Sequence, residues 1–319
     1  HFLAAKSVGI RVEKFYVGMN LFGLGIKKKI NNTEYGIGLF PLGGYVKVAG
    51  IIDESLDSEK SDIRKDDEFR SKNIIQKLWF LSAGVIMNFI LSIFIFTCLF
   101  LSLGIMEPGD KPIVNDIQEK IVIFNELNDT VSVKSPAFLL GLNKGDNILM
   151  INDVKVYNWQ DISNNISNKA DSIIYLQWRT TNGIVKEDKI KLVGRPIINK
   201  FKIEKQGVLG IVGEVNNRKI NIIEAISFST ARTYNIITST FYGVIGLITG
   251  NLPIKFMTGI IGIAKEAGNA ATSEYALINL LFLMAFISSN LGLINILPIP
   301  GLDGGHAMIA IMEGILGKE

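Results

Sequence analysis

Two long stretches of the chain carry no charge, Leu78 to Met106 and Tyr275 to Leu302. Each exceeds the ~20 residues that a helix needs to cross the hydrocarbon core of a bilayer, so both predict membrane helices. Lys72 and Lys77 precede the first and Glu107 and Asp110 follow it, which predicts insertion from the cytoplasmic side. Asn88 within it suits a hydrogen bond to a neighbouring helix. The second stretch is broken near its end. Pro298 and Pro300 donate no backbone N–H, so the carbonyls of Ile294 and Ile296 lose their helical partners, and Leu297 and Ile299 are pushed towards extended geometry. Backbone that unwinds at membrane depth persists only where protein or a wet cavity satisfies its polar groups.

Between the spans, from Lys111 to Arg195, the pattern becomes that of a soluble domain. Ser135-Pro136-Ala137 leads to Gly141-Leu142 and Gly145-Asp146. A polar helix starts at about Asp161, Ile173 to Arg179 alternates as a strand, Asn182-Gly183 is a turn, and Ile184 to Val193 returns. Ahead of the first span, residues 21–77 read as a connector, dense in both charge signs from Asp53 to Lys77. Within it the glycine-interrupted alternation of Tyr35 to Ala49 predicts a β-hairpin over 35–49. Residues 196–274 read as an interfacial region. Asn221 to Gly250 is apolar from Thr233 onward, but Arg232 and the polar side of Ser227, Ser229, Thr230, Thr233 and Asn235 favour an amphipathic helix lying on the membrane. The fold class expected is a multi-pass α-helical membrane protein with an inserted β-rich domain (111–195) and a membrane-associated β-hairpin. Residues 1–20 lead into it, and a short helix over 303–319, closed by Gly317, ends it.

Composition narrows the partners. The chain is 48% hydrophobic with a mean hydropathy of +0.32, too apolar for an ordinary soluble protein, while 20% charged residues are too many for an all-membrane one. The net charge is +3 and no basic block is interleaved with aromatics, so nucleic acid is not an expected partner. Lys27, Lys28 and Lys29 read as a solvated or headgroup-facing patch. The single Cys98 excludes a disulfide framework and a cysteine zinc site.

Asp303 follows the proline break, and Gly304 and Gly305 leave room for close approach. An ionisable residue there is a functional-site candidate by default. The alternative is that Asp303 merely caps the helix Gly304 to Leu316. His306, three residues on, is a conceivable second ligand. The string Asn295 to His306, N-I-L-P-I-P-G-L-D-G-G-H, closely resembles the N-x-x-P-x-P-x-L-D-G signature of the site-2 protease family, the intramembrane zinc metallopeptidases, here of the bacterial regulator-of-sigma-E type.

That resemblance implies that Asp303 is a ligand of Zn2+, and that His306 supports the site without binding metal. Phe2-Leu3-Ala4-Ala5-Lys6 resembles the phrase that follows H-E-x-x-H in the family, which makes His1 the second histidine. The first histidine and the general-base Glu would lie four and three positions ahead of it, so the expectation is a chain truncated at both ends, with 1–20 as the end of a first membrane helix and its cytoplasmic flank and 21–77 as a cytoplasmic connector. Histidines four apart share a helix face and grip zinc, while the Glu activates the metal-bound water. Lys6, Arg11 and Lys14 place His1 near the cytoplasmic face. If His1 and Asp303 share one metal, Tyr275 to Leu302 runs from outside to inside, and a further full crossing between the spans would leave Asp303 on the wrong face.

By the same resemblance, Gly43, Gly44 and Tyr45 match a re-entrant β-loop whose edge holds unwound substrate by strand addition. Asn290 and Asn295 match asparagines that contact substrate, with interhelical hydrogen bonding as the alternative. Thr258-Gly259 and Gly262-Ile263-Ala264-Lys265 resemble a further family phrase, with Ile260 where many members have Pro. Residues 111–195 resemble a PDZ domain, which implies capture of peptide ends. The function implied is zinc-dependent intramembrane cleavage of single-pass membrane proteins, such as an anti-sigma factor or signal-peptide remnants, in regulated intramembrane proteolysis. The place implied is the bacterial inner membrane, among its lipids, with the PDZ-like domain outside the cytoplasm. Two alternatives stand beside it. One is a catalytically inactive PDZ-bearing scaffold, because the first half of H-E-x-x-H is absent. The other is a transporter, since broken helices also hold ions, although no internal repeat is visible.

Overall fold

The computed structural model describes residues 1–20, 25–51, 65–124, 130–200, 202–252 and 260–316, and divides into two compact units. Thr258, Gly259, Gly317 and much of the charged connector lie outside the described residues. The first unit comprises His1–Ile95, Arg232–Ile237 and Asn279–Glu319; the second comprises Phe96–Ala231 and Thr238–Ile278.

The first unit opens with a short helix α1 (Phe2–Ser7) and four strands, β1 (Val12–Met19), β2 (Gly25–Ile30), β3 (Thr33–Gly38) and β4 (Phe40–Val48). They form one sheet in the order β2-β3-β1-β4. The hairpin expected over 35–49 is therefore corrected: β3 runs parallel to β1, and β4 pairs antiparallel to the other side of β1. Only Leu39 separates β3 from β4, too little for a two-residue hairpin loop, so the chain steps over the end of β1 instead. The true hairpin joins β2 to β3 through Asn31-Asn32, where Asn31 takes the positive φ of 52° that asparagine tolerates. Ala4, Ala5, Ile10, Val12, Val48, Phe69, Phe80 and Leu81 are buried together beneath the base of this sheet. The last two belong to α2 (Ile74–Leu103), the first predicted span, which begins four residues earlier than Leu78.

The second unit is built mainly of strands. β5 (Ile105–Pro108), β6 (Val114–Ile117), β7 (Lys120–Phe124) and β8 (Thr130–Lys134) lead to α3 (Pro136–Leu139). Then come β9 (Asn147–Ile151), β10 (Val154–Lys155), α4 (Trp159–Ser167), β11 (Ile173–Arg179) and β12 (Val185–Lys191), whose sheet order is β10-β9-β11-β12. β13 (Val193–Asn199), β14 (Lys202–Val208), β15 (Ile211–Gly213) and β16 (Val215–Arg218) follow.

The sheet continues past the expected boundary at Arg195: β13 runs through it to pair with β14, β15 returns to β6, and β16 returns to β5. Within 196–218 the described residues are thus mostly strand, where the expectation is an interfacial region. Helix resumes with α5 (Ile222–Ile248) and α6 (Ile260–Thr272). Val114, Leu142, Ile148, Ile151, Ile174, Leu176 and Leu209 anchor the domain core. Gly104, at φ 78°, ends α2, and the Asn217 amide donates to the Leu103 carbonyl at 2.8 Å. Arg218 bonds both Glu107 (3.0 Å) and Glu224 (3.1 Å), while Asn221 and Glu224 form the capping box of α5.

α7 (Ala276–Ile296) and α8 (Asp303–Leu316) complete the chain. Among the described residues two helices, α2 and α7, are long and apolar enough to cross a membrane. Within the first unit α7 lies close to α2: a Cβ on Gly292 would fall 2.6 Å from the Phe89 ring. The Ser92 and Ser289 hydroxyls stand 2.6 Å apart, and Ser288 donates to the Asn88 carbonyl at 2.9 Å, so the backbone of Asn88 takes this interhelical bond. Thr233 of α5 is buried and reaches Ser92 at 3.3 Å. Part of the polar side of α5 therefore turns inward, with Ser229 and Thr233 buried, where an interfacial helix would turn it to water.

Candidate metal centre

The proline break shapes the site. α7 ends at Ile296, and the carbonyl that Pro298 abandons, on Ile294, accepts instead from the Leu297 N–H at 3.1 Å. Ile299 donates to Leu297 (2.7 Å) and Leu302 to Ile299 (3.1 Å), so this segment satisfies part of its own backbone. Asp303 is the first residue of α8 itself, where a carboxylate is favoured by the helix dipole. A Cβ on Gly304 would lie 2.2 Å from the Ile296 carbonyl oxygen, and one on Gly305 2.3 Å from that of Ile299. Only glycine lets the first turn of α8 press against the unwound segment.

His1 meets Asp303 across the whole length of the chain. Its Nε2 lies 3.3 Å from Asp303 Oδ2, with the two side chains 26% and 25% exposed. Its Nδ1 lies 3.1 Å from the Phe80 carbonyl. A carbonyl only accepts, so Nδ1 donates in that bond, and Nε2 is the ring atom that would hold a metal between itself and the carboxylate. Space for the ring comes from Gly84 of α2, where a Cβ would fall 2.1 Å from Nε2.

These two donors fit zinc. With tetrahedral bonds of ~2.0–2.1 Å, two zinc ligands stand ~3.3 Å apart, and a nitrogen–carboxylate pair is among the donor sets this metal takes. Among the described residues no group of three or more His, Cys, Asp and Glu converges, so His1 and Asp303 would supply two of the ligands of such a site. When bound, zinc polarises a peptide carbonyl and brings the pKa of its water to near 7.

A cleft of about 440 Å³ opens beside the pair, lined by His1, Asp303, His306, Tyr16, Gly44 and Tyr45 among others. The structure thus brings Gly44 and Tyr45 of β4 to the same cleft as the two donors, with Gly43 next to them in the strand. Gly44 has no alternative, since a Cβ there would lie 2.4 Å from the Tyr16 carbonyl oxygen on β1. Tyr45 stacks on Tyr16 with ring centroids 5.1 Å apart. Asn295 and Pro298 instead line an apolar groove of about 810 Å³, walled by α2 and α8, which Asp303 also borders. Asn290 lines neither cavity and donates its amide to the Phe286 carbonyl at 2.9 Å. Pro300 follows in the turn that precedes α8. Sequence reasoning missed the Phe80 carbonyl and Gly84. The latter had a signal, being the only glycine in the 30 residues of α2.

The whole chain, residues 1–319, matches Peptidase family M50. The chain belongs to this family, the site-2 proteases. It is 34% identical, over all of its 319 residues and 83% of the relative, to a protein of Clostridium acetobutylicum that carries a zinc-metalloprotease name. A Clostridium perfringens relative named in the same way is 29% identical over all of this chain and 84% of its own. Zinc metalloprotease RasP of Bacillus licheniformis is 30% identical over 79% of this chain and 54% of its own. M50 proteases are zinc-dependent membrane proteins, and at that level this chain is a zinc metalloprotease. The M50 match leaves the inactive-scaffold alternative without support.

Proposed function

We propose that this M50 protein is an intramembrane endopeptidase that cleaves single-pass membrane proteins in regulated intramembrane proteolysis at the bacterial cell membrane. The observation that carries the reading is the approach of His1 Nε2 to Asp303 Oδ2, 3.3 Å apart at the end of a broken apolar helix. In this reading His1 and Asp303 hold zinc, together with the histidine that the family motif places ahead of His1. The Glu of that motif moves the proton of the attacking water. The Gly43–Tyr45 stretch of β4 offers its edge to an unwound segment of substrate by strand addition, and Asn295 in the adjoining groove gives that segment a hydrogen-bonding amide. Asn290, bonded to its own helix, serves the bundle.

The strand-rich part of the second unit acts as a PDZ-like domain outside the cytoplasm, where it captures peptide ends of substrates such as a trimmed anti-sigma factor. Lipid surrounds α2 and α7, consistent with their length and hydropathy, Lys77 near the start of α2 being the one charge in the two helices. The test is Asp303→Ala in the full-length protein, with zinc quantified and cleavage of a single-pass reporter followed in vesicles. Removal even of an outer partner of a zinc ligand costs about 10–100-fold, so loss of the ligand itself costs more than that in both readouts. Unchanged zinc content and cleavage would overturn the reading.

A further inference from the structure

In the second unit α4 lies alongside the chain from Gly207 to Gly213, and a glycine admits it at each end. At its last turn, a Cβ on Gly207 of β14 would fall 2.2 Å from the Ile166 carbonyl oxygen and 3.1 Å from that of Lys169, so backbone meets backbone. At its first turn the contact is of another kind. Trp159 is the first residue of α4, and a Cβ on Gly213 of β15 would fall within 2.7 Å of its indole carbons Cδ2, Cε2 and Cε3. Three ring atoms at nearly one distance put the face of the indole on the Gly213 backbone. The slot exists because residue 213 has no side chain.

The helix is pinned here, but the indole is not. Asn158 Oδ1 accepts from the Asp161 N–H at 2.9 Å, and Asp161 Oδ2 accepts from the N–H of Tyr157 at 2.9 Å and of Asn158 at 3.3 Å. This capping box fixes the backbone on both sides of Trp159, so the side chain needs only rotation about χ1 and χ2 to leave the slot. It is partly buried against the core, whereas Trp178 is sealed within it. The strand it covers has an open edge. β15 pairs with β6 in a two-stranded sheet, and on that side the Gln118 N–H donates to the Gly210 carbonyl at 2.9 Å. Backbone groups alternate along a strand, so those of Ile211 turn to the opposite edge, with which no strand pairs among the described residues.

We propose that the slot over Gly213 is a side-chain subsite of a peptide-binding edge on β15, and that Trp159 fills it until a peptide bearing an aromatic or large aliphatic residue displaces the indole. The proposal rests on the reading of the second unit as a domain that captures peptide ends. It adds the class of side chain selected and the residue that competes for its place. An extended peptide added to the open edge of β15 turns alternate side chains to the face where α4 stands. Once the indole has swung out, a serine there leaves Gly213 and the rim of the core bare, while a side chain of similar size restores the apolar contact.

The experiment uses full-length protein in detergent micelles, labelled with 5-fluorotryptophan and read by fluorine NMR. The Trp159 resonance is the one that disappears in Trp159→Phe. The probes are short peptides with a free carboxylate, in which one phenylalanine is moved along a background of serine and threonine. At one position phenylalanine binds about tenfold tighter than serine, and the Trp159 resonance moves to its solvent-exposed frequency as that peptide saturates. In Trp159→Ala the same peptide binds about tenfold tighter again, the change expected if the slot is open in roughly a tenth of the unsubstituted molecules. Peptides that bind without moving the resonance, or with no preference for phenylalanine at any position, would overturn this proposal alone and return Trp159 to simple packing. Absence of binding by the unsubstituted protein, Trp159→Phe and Trp159→Ala alike would remove peptide capture and this inference with it.

Discussion

Gly84→Ala separates what the α2 helix wants from what the metal centre needs. In a helix interior, alanine in place of glycine is favourable by about 0.5–1 kcal/mol, so on secondary structure alone the variant is the more stable protein. The new methyl, however, would stand 2.1 Å from His1 Nε2, 2.8 Å from Cδ2 and 2.9 Å from Cε1. Ordinary carbon contacts sit at about 3.5–4.0 Å, so the imidazole must retreat by roughly 1.4 Å or more. Zinc–ligand distances tolerate only about 0.2 Å. The retreat also pulls Nδ1 from the Phe80 carbonyl, now 3.1 Å away, and with it the bond that fixes the tautomer. The expected outcome is loss of zinc by elemental analysis and loss of reporter cleavage, in a protein whose thermal unfolding in detergent is unchanged or higher. Stoichiometric zinc and full cleavage in Gly84→Ala would refute the placement of His1 at the metal. A variant that loses zinc and also unfolds early would refute the separation of the two effects.

Gly304→Ala forces a methyl to 2.2 Å from the Ile296 carbonyl oxygen, an overpacking of about 1–3 kcal/mol that displaces Asp303; the expected reading is weaker zinc retention on dialysis against a mild chelator. Ser92→Ala removes the hydroxyl shared by Ser289 and Thr233, and each interhelical bond of this kind is worth about 0.6 kcal/mol, so the variant unfolds in detergent earlier than Ser288→Ala does. In the second unit the Lys205 ammonium, at 2.8 Å, and then the Gly194 N–H hold the Asp171 carboxyl below its ordinary range. Because the folded value is depressed, the stabilisation is present above the ordinary aspartate range, near pH 4, and fades as pH falls through the folded value. Both partners are well exposed, so the effect is a few tenths of a kcal/mol, read as a shallower acid dependence of tryptophan-monitored unfolding in Asp171→Asn.

The two apolar helices were legible because a missing charge over 28 or more residues has few other causes, and the break after Ile296 because two prolines leave little choice. What escaped was pairing at a distance. The alternation around Ile37 signals a strand, but β3 pairs with β1 twenty residues upstream and β4 with β1 at 21 to 36 residues, and no local pattern encodes that choice. β15 and β16 likewise pair with β6 and β5 about a hundred residues earlier, and nothing local to Arg195 signals that the sheet continues. Asn290 and Asn295 look like one device in the sequence. Five residues turn a helix by about 500°, so they leave α7 in different directions, and only one reaches the groove that Asp303 borders.

The two proposed metal donors, His1 and Asp303, stand 302 residues apart in the chain. At about 5–20 residues per second, the ribosome needs roughly 15–60 s to get from His1 to Asp303. Throughout that interval α2 can already sit in the bilayer with Phe80 and Gly84 shaped to receive the imidazole, yet no carboxylate exists to complete the pair. In this reading, a hydrolase born among other nascent membrane chains acquires its Asp303 donor only some three hundred residues after His1, and stays without it throughout that interval.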